Sequence, residues 1–192
     1  MILFCDCFDC WLKDSVITIV GIIGGIIGSL LIMLKLIPKW YPPTIEISKN
    51  IAYSEESGSK RYRIKIKNLT KNPIRNISSE LQFVYKKESK GFFTTITISL
   101  VKSDILILPQ YDLNDKYFDF CYTFLVSHSN NTYDLIDLFD KHRNNTPTLR
   151  FRIIATHYLS GFSKIFESSY KLNSIKKGYF KTDGTTIMEE EN

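Results

Sequence analysis

Hydrophobic residues follow two different patterns along this chain. Residues 16–34 read VITIVGIIGGIIGSLLIML, nineteen consecutive positions without a charged side chain. At about 1.5 Å of rise per residue, a helix of that length spans roughly 28 Å, close to the hydrocarbon thickness of a bilayer. From residue 45 onwards, apolar and polar residues alternate with a period of two, as in half-buried strands. The sequence therefore predicts one transmembrane α-helix followed by an all-β domain.

Aromatic residues of the kind that prefer lipid headgroups flank the apolar run. Trp11 precedes the run, and Trp40 and Tyr41 follow it. On a continuous helix the two tryptophans would lie about 44 Å apart, which matches a bilayer together with its interfaces. Prolines after the run end the helix. The predicted segments are an N-terminal tail (residues 1–14), a transmembrane helix (15–38) and a proline-containing linker (39–43).

Charged residues around the run predict its orientation. Lys35 and Lys39 follow the run and are also expected at the headgroups, whereas Lys13 alone precedes it. Short segments rich in lysine remain in the cytoplasm, so we predict a single-pass cell-membrane protein with its N-terminus outside and its domain in the cytoplasm. Cys121 is the single cysteine after the run, which agrees with a reducing compartment for the domain. The acidic start of the chain disfavours a cleaved signal peptide.

Small residues recur at four-residue spacing within the predicted membrane helix. Gly21, Gly25 and Ser29 form one row, and Gly24 and Gly28 form a second. Residues four apart share a helix face, and small side chains there let helix backbones approach closely in lipid. We therefore predict a homo-oligomer assembled in membrane lipid. Glycine is also frequent in membrane helices generally, so a plain anchor is the alternative.

The period-two pattern predicts several short strands. Residues 61–67 alternate strictly, with three apolar residues on one face and four bases on the other, as in an antiparallel strand with one buried face. A short helix is predicted for residues 132–141 behind an Asn/Thr cap, because Leu135, Leu138 and Phe139 recur at helical spacing. Asp183-Gly184 indicates a last hairpin. Further strands are predicted at residues 45–47, 81–85, 96–100, 105–108, 118–124 and 149–155, and in a segment that ends at residue 170.

Short strands with turn signals between them favour an immunoglobulin-like antiparallel β-sandwich with one short helix. This sandwich is assigned to residues 44–182, and a C-terminal hairpin with an acidic tail is assigned to residues 183–192. The net charge of +5 suits a domain beside an anionic lipid surface. It is not basic enough to favour nucleic acid as a partner.

The order of Arg63, Asn68-Leu69, Tyr133-Asp134-Leu135 and a closing segment from Gly161 to Phe180 resembles the cytoplasmic domain of inward-rectifier potassium channels. Residues 63–69 are similar to that family's first-strand Arg and Asn-Leu turn, and residues 133–135 to its Tyr-Asp-Leu. The resemblance covers roughly residues 61–180 and implies an immunoglobulin-like sandwich. The family's closing segment has a turn Gly, then Ser-Tyr, an Ile, a Gly and an aromatic residue, and this chain has them in that order: Gly161, Ser169-Tyr170, Ile175, Gly178 and Phe180.

The pore of that family has no counterpart in this sequence. The channels have two membrane helices, with a pore helix and a Thr-x-Gly-Tyr-Gly filter between them, whereas this sequence has one apolar run and no such loop. A potassium filter lined by carbonyl groups cannot be built without that loop. The resemblance therefore implies the fold of the domain and not channel activity.

No catalytic constellation is recognisable, so we predict no enzyme activity and no cofactor. The three histidines lack the spacing of metal ligands. Cys5, Cys7 and Cys10 are dense enough to hold a soft metal, to be acylated beside a membrane or to pair between copies. An incidental cluster is an equally weighted alternative.

Two functions fit these features. In the first, the domain senses an unidentified ligand or protein partner while the helices assemble, and a membrane-disrupting effector of bacterial defence would have this organisation. In the second, the protein is a membrane-tethered interaction module, and its helix is only an anchor. We favour the first function because of the glycine rows.

Overall fold

The computed structural model describes residues 5–32, 42–56, 58–87, 91–112, 114, 117–127 and 134–188, without the side chains of residues 5–14 and 56. By its internal contacts the chain divides into two compact units, Met1–Pro42 and Pro43–Asn192. Each unit has its own kind of secondary structure, helical in the first and mostly β in the second.

Helix α1 (Cys5–Leu31) forms the described part of the first unit and has 27 residues. Eleven large apolar side chains between Val16 and Ile32 are each at least half exposed. In the described part of the chain, no helix is long and apolar enough to cross a membrane. The predicted span of residues 15–38 extends beyond Ile32 into residues 33–41, which the structure does not describe. The span therefore stays a prediction.

The second unit is built from short strands. Alternating apolar residues drive strand formation here, because one face of each strand can then pack into a shared core. Its elements are β1 (Ile45–Ile47), β2 (Ile51–Glu56), β3 (Ser59–Asn68), β4 (Ile74–Lys86), β5 (Phe93–Ile98), β6 (Asp104–Leu108), β7 (Cys121–Leu125), α2 (Leu135–Lys141), β8 (Thr148–His157), β9 (Ser163–Tyr170), β10 (Ile175–Lys177), β11 (Tyr179–Phe180) and β12 (Ile187–Met188).

These strands form two five-stranded sheets and one separate hairpin. In the first sheet, β3 pairs with β7 on one side and with β1 and then β2 on the other, and β10 joins β2 in parallel. In the second sheet, β4 pairs with β8 on one side and with β6 and β5 on the other, and β9 lies beyond β8. The hairpin is formed by β11 and β12. The predicted all-β sandwich is therefore confirmed.

The core lies between the two sheets. Tyr62, Ile64 and Ile66 of β3 are at most 1% exposed, so the apolar face predicted from the alternation is confirmed. Phe124 of β7 and Phe151 of β8 contact each other across the core, with ring centroids 5.4 Å apart. Helix α2 covers one end of the sandwich with three buried side chains, Leu135, Leu138 and Phe139.

Several sequence predictions were wrong in their bounds, including the strands predicted at residues 81–85 and 96–100, which are Ile74–Lys86 and Phe93–Ile98 in the structure. Two further differences have a local cause. The strand predicted from residue 118 begins only at Cys121, because Phe118 has a φ of 53° and cannot continue an extended strand. The helix predicted from residue 132 begins at Leu135, and its N-cap is Asp134 rather than Asn or Thr. The Asp134 side chain accepts a hydrogen bond of 2.9 Å from the main-chain N–H of Ile136, which satisfies a free donor of the first turn.

We expect a chain that begins at Pro43 to fold without α1. Every described residue of the buried apolar core comes from the second unit, so removing the helix removes none of them. Circular dichroism of the purified fragment should show a mainly β spectrum with a cooperative thermal transition. A mainly helical spectrum or an unfolded fragment would contradict this expectation.

Candidate functional site

Strand β3 has an apolar face in the core and a basic face on the outer side of the first sheet. Arg63, Lys65 and Lys67 alternate with core residues and therefore lie on that outer face. These three residues are here called the basic strip. Alternation alone predicts that such a strip faces water, yet Lys65 is only 6% exposed. Another part of the chain must therefore cover it.

The turn of the C-terminal hairpin lies over the basic strip. The Lys65 ammonium donates to the main-chain carbonyl oxygens of Lys181 and Thr182, at 2.5 and 2.7 Å. The Lys67 ammonium donates to the carbonyl oxygen of Asp183, at 3.0 Å. Two cationic side chains thus bind three consecutive carbonyl oxygens, through hydrogen bonds that are stronger than neutral ones because the donors are charged.

The strands of the hairpin are attached by further polar contacts. The guanidinium of Arg63 lies over the Tyr179 ring, 5.2 Å from its centroid. The hydroxyl of Thr185 donates to the Glu46 carboxylate of β1. The main-chain N–H of Gly178 donates to a carbonyl oxygen of β2, at 2.9 Å. The hairpin is therefore connected to three strands of the first sheet.

The hairpin contributes little apolar surface to this contact. Tyr179 and Met188 are 40% and 50% exposed, and Phe180 and Ile187 are only partly buried. None of these four residues belongs to the buried core cluster. A segment with few buried apolar contacts opens at a lower free-energy cost than the core strands. We therefore expect the hairpin to be the least stable β element of the domain.

Gly178 is required where the chain enters the hairpin. Its φ is +132°, and a Cβ atom at this position would lie 2.1 Å from the carbonyl oxygen of Met188. Any other residue would therefore push β12 away from its present position. Gly184 in the turn is different, because a Cβ there would have Thr186 Oγ1 as its nearest neighbour at 3.6 Å, an ordinary contact distance.

Burial shifts the acid–base properties of two groups under the hairpin. Desolvation lowers the pKa of Lys65, and the charge of Lys67 acts in the same direction. Cys121 lies opposite Lys67 on β7 and is a free thiol. Burial raises the pKa of Cys121, although the charges of Lys65 and Lys67 oppose the shift, so the thiolate is disfavoured at neutral pH.

A second polar cluster connects β3 to α2. The Tyr62 hydroxyl donates to Asp134 Oδ1, and the Lys60 ammonium lies 2.9 Å from Asp134 Oδ2. Burial raises the pKa of Asp134, but the hydrogen bonds from Tyr62, Lys60 and Ile136 outweigh burial and the net shift is downward. Burial and the Asp134 contact raise the pKa of Tyr62. This cluster fixes the start of α2.

Two of the cavities that the described residues line lie on the domain surface. One, of about 480 Å³, lies beside the irregularity in β4 between Arg75 and Ser78 and next to β6. The other, of about 330 Å³, lies beyond the end of α2. Arg143 and Lys171 give this second cavity a basic lining, and Phe139 supplies an apolar wall. The second cavity is therefore suited to a small anionic ligand.

The structure places all five predicted helix-packing residues in α1: Gly21, Gly24, Gly25, Gly28 and Ser29. At 3.6 residues per turn they fall in one stripe about 140° wide, so the two predicted rows are adjacent. Within the described chain, a Cβ at any of the four glycines would have no neighbour within 4 Å. The Ser29 hydroxyl donates to the Gly25 carbonyl oxygen at 2.8 Å, so it is already bonded inside its own helix.

The headgroup and cysteine predictions concern side chains that the structure does not describe, and they stay predictions. Among the residues that are described, no group of three His, Cys, Asp or Glu side chains is placed to hold a metal ion. Lys35, Lys39, Trp40 and Tyr41 lie outside the described residues, and Trp11, Cys5, Cys7 and Cys10 lie in the first part of α1.

No protein-family model and no curated protein matches this chain. Among solved structures, it is similar to the ApaA protein from Bordetella pertussis, with a TM-score of 0.36 and 10% identity over 68% of this chain and 93% of that one. It is also similar to Spo0M, a sporulation control protein from Bacillus subtilis, with a TM-score of 0.33 and 13% identity. That match covers 66% of this chain and 47% of Spo0M, about half of its length. Neither likeness assigns a function.

Proposed function

We propose that this chain is a single-span membrane protein whose apolar helix lies in the bilayer and whose β-sandwich senses a ligand or partner. The observation that carries the proposal is the set of large, exposed apolar side chains in α1. Nine of these eleven side chains are spread over the circumference outside the small-residue stripe, and Ile17 and Ile32 lie in line with the stripe at its two ends. A helix of this kind is stable only among other apolar groups, either lipid or further helices. The apolar run continues in the sequence to residue 34.

The small-residue stripe supports assembly of several copies. Lipid tails compete equally for apolar side chains, so helices associate in membranes mainly where small residues allow close backbone packing. The stripe is open at its four glycines, because among the described residues no atom beyond the adjacent helix backbone lies within 4 Å of a Cβ built there. A stripe about 140° wide allows contact with a neighbour on each side, as a closed ring requires.

The domain suits a cytoplasmic sensing role. Two mainly antiparallel sheets pack face to face, which supports the immunoglobulin-like class and the resemblance to inward-rectifier domains as parts of this proposal. The cavity lined by Arg143 and Lys171 offers a binding place for a small anion. In this proposal, ligand binding to the domain acts on the assembled helices, as in an oligomeric membrane-disrupting effector of bacterial defence.

A plain membrane-tethered interaction module is the second candidate. Glycine is frequent in membrane helices generally, so the glycines of α1 do not by themselves require that the helix self-associates. The two candidates differ in one measurable property. Expression of the full chain in bacteria should make the membrane permeable to ions in the first case and leave it sealed in the second.

We expect a reporter fused after Asn192 to lie in the cytoplasm. Lys35 and Lys39 outnumber Lys13 at the ends of the apolar run, and the lysine-rich end remains inside. A green fluorescent protein fusion should fluoresce, and an alkaline phosphatase fusion should be inactive. In a matched variant, Lys35 and Lys39 are changed to Gln and two lysines are added before Trp11, which should reverse the pattern. Phosphatase activity of the unaltered chain would contradict the orientation, and a fusion protein absent from the membrane fraction would contradict the span itself.

A further inference from the structure

The contact between the basic strip and the hairpin is unusual for a buried lysine. The Lys65 ammonium is bound by two main-chain carbonyl oxygens, which are its hydrogen-bond partners in the described structure. A carbonyl oxygen carries only a partial negative charge, so these contacts solvate the buried ammonium without neutralising it. The neighbouring Lys67 ammonium donates to one further carbonyl oxygen and lies 4.9 and 5.5 Å from the ring centroids of Tyr111 and Phe120. Among the described contacts, the Lys65 and Lys67 ammonium groups are therefore bound by carbonyl oxygens of the hairpin, and Asp183 acts on Lys65 only as a nearby charge.

The geometry of the covered site matches a compact anion with several oxygen atoms. Lys65 and Lys67 are about 7 Å apart along the strand, yet their ammonium groups converge on three consecutive carbonyl oxygens of residues 181–183. The oxygen atoms of adjacent phosphoryl groups lie as close together as these three carbonyl oxygens. They accept hydrogen bonds in the same way and also carry full negative charge. Arg63 continues the strip and supplies a planar guanidinium suited to phosphate.

We propose that the C-terminal hairpin is a displaceable cover, and that a phosphate-bearing anion binds the basic strip in place of the three carbonyl oxygens. The exchange replaces carbonyl groups with charged acceptors and returns the hairpin to solvent. The cost of opening is small because the hairpin buries little apolar surface. The site is separate from the cavity beside α2, and the inference does not depend on the membrane helix.

Gly178 allows a sharp test, because changing it alters the cover and leaves the basic strip intact. A side chain at this position would meet the Met188 carbonyl oxygen, so Gly178→Val should open the hairpin. Gly184→Ala is the matched control within the same hairpin, because its added methyl group makes only an ordinary contact. If the hairpin of the parent chain is open for about 1–10% of the time, removing the cover should increase apparent affinity about 10- to 100-fold.

The probe is tripolyphosphate, and binding to the full chain in detergent is measured by calorimetry. Gly178→Val should bind at least about tenfold tighter than the parent, whereas Gly184→Ala should match the parent. Adding Lys65→Met to Gly178→Val should abolish the gain. Equal affinities for the parent and Gly178→Val, or a gain that survives Lys65→Met, would overturn the proposal.

Hydrogen exchange provides a second measurement that does not depend on a variant. In the parent chain, tripolyphosphate should speed exchange in residues 179–188 while β8 keeps its protection, which excludes global unfolding. The source of the phosphate is tested in nanodiscs. Faster hairpin exchange on anionic lipid alone would identify a headgroup, and faster exchange only after tripolyphosphate addition to neutral discs would identify a soluble ligand. Unchanged exchange in both arms would overturn the proposal.

Discussion

Replacing Asp134 with alanine should destabilise the β-sandwich by about 2–4 kcal/mol, because the change removes a helix cap and two hydrogen-bonded partners together. Asp134 accepts from Ile136 in α2, from Tyr62 in the core strand and from Lys60 at the surface. Without the carboxylate, the Tyr62 hydroxyl has no described acceptor. Urea unfolding of the chain that begins at Pro43 measures this loss.

Two variants separate the contributions to that loss. Asp137 is an exposed acid in the first turn of the same helix, so Asp137→Asn should change the free energy of unfolding by less than about 0.5 kcal/mol. Tyr62→Phe removes one donor and keeps the cap, so it should cost about 1–2 kcal/mol. If Asp134→Ala unfolds at the same urea concentration as the parent, the cluster does not stabilise the domain.

The same variant should change the response to acid. The pKa of Asp134 is lower in the folded state than its ordinary value of 3.8. Its stabilising contribution is therefore fully present above that value and is lost as the pH falls through the folded pKa. Below about pH 4, the unfolding curves of the parent and of Asp134→Ala should converge. A difference that stays constant down to pH 2 would show that ionisation of Asp134 is not involved.

Changing both Gly24 and Gly25 to leucine should reduce self-association of the apolar helix at least about tenfold, or 1.4 kcal/mol, because leucine fills the stripe and separates the backbones. A Cβ at either position would have no neighbour within 4 Å among the described residues beyond the adjacent helix backbone, so the leucines should not disturb the described part of the chain. Leucine also favours helix over glycine by up to about 1 kcal/mol per residue, so the helix itself should persist. A membrane two-hybrid assay on residues 11–41 measures association.

Ile23→Leu is the matched control for the glycine variant. At 3.6 residues per turn, Ile23 lies on the side of α1 opposite the stripe, so this exchange changes only a lipid-facing shape. If the glycine variant associates as strongly as the parent and Ile23→Leu, the glycines are incidental and the plain-anchor function is favoured. If association falls only in the glycine variant, an ion-leak measurement on the same set tests whether assembly opens the membrane.

The sequence by itself determined the elements whose pattern is local. Strict alternation in residues 61–67 and 149–155 predicted β3 and β8, because strand periodicity follows directly from which residues face the core. Asp183-Gly184 predicted the last hairpin, since these residues favour a tight turn. The glycine spacing in α1 was also visible, because residues four apart share a face on any helix.

Only the tertiary structure decided which of these elements meet. Tyr62 and Asp134 are 72 residues apart, and Lys65 and Lys181 are 116 apart, so neither contact has a signal in local periodicity. Alternation identified Lys65 as an outward-facing base but could not show that the hairpin covers it. Similarly, the positive φ of Phe118 delays to Cys121 the start of a strand that alternation alone places at residue 118. The periodicity of the chain specifies which residues share a face of a strand. Whether that face is buried depends on packing between segments that are distant in sequence, and such packing puts the hairpin over the basic strip.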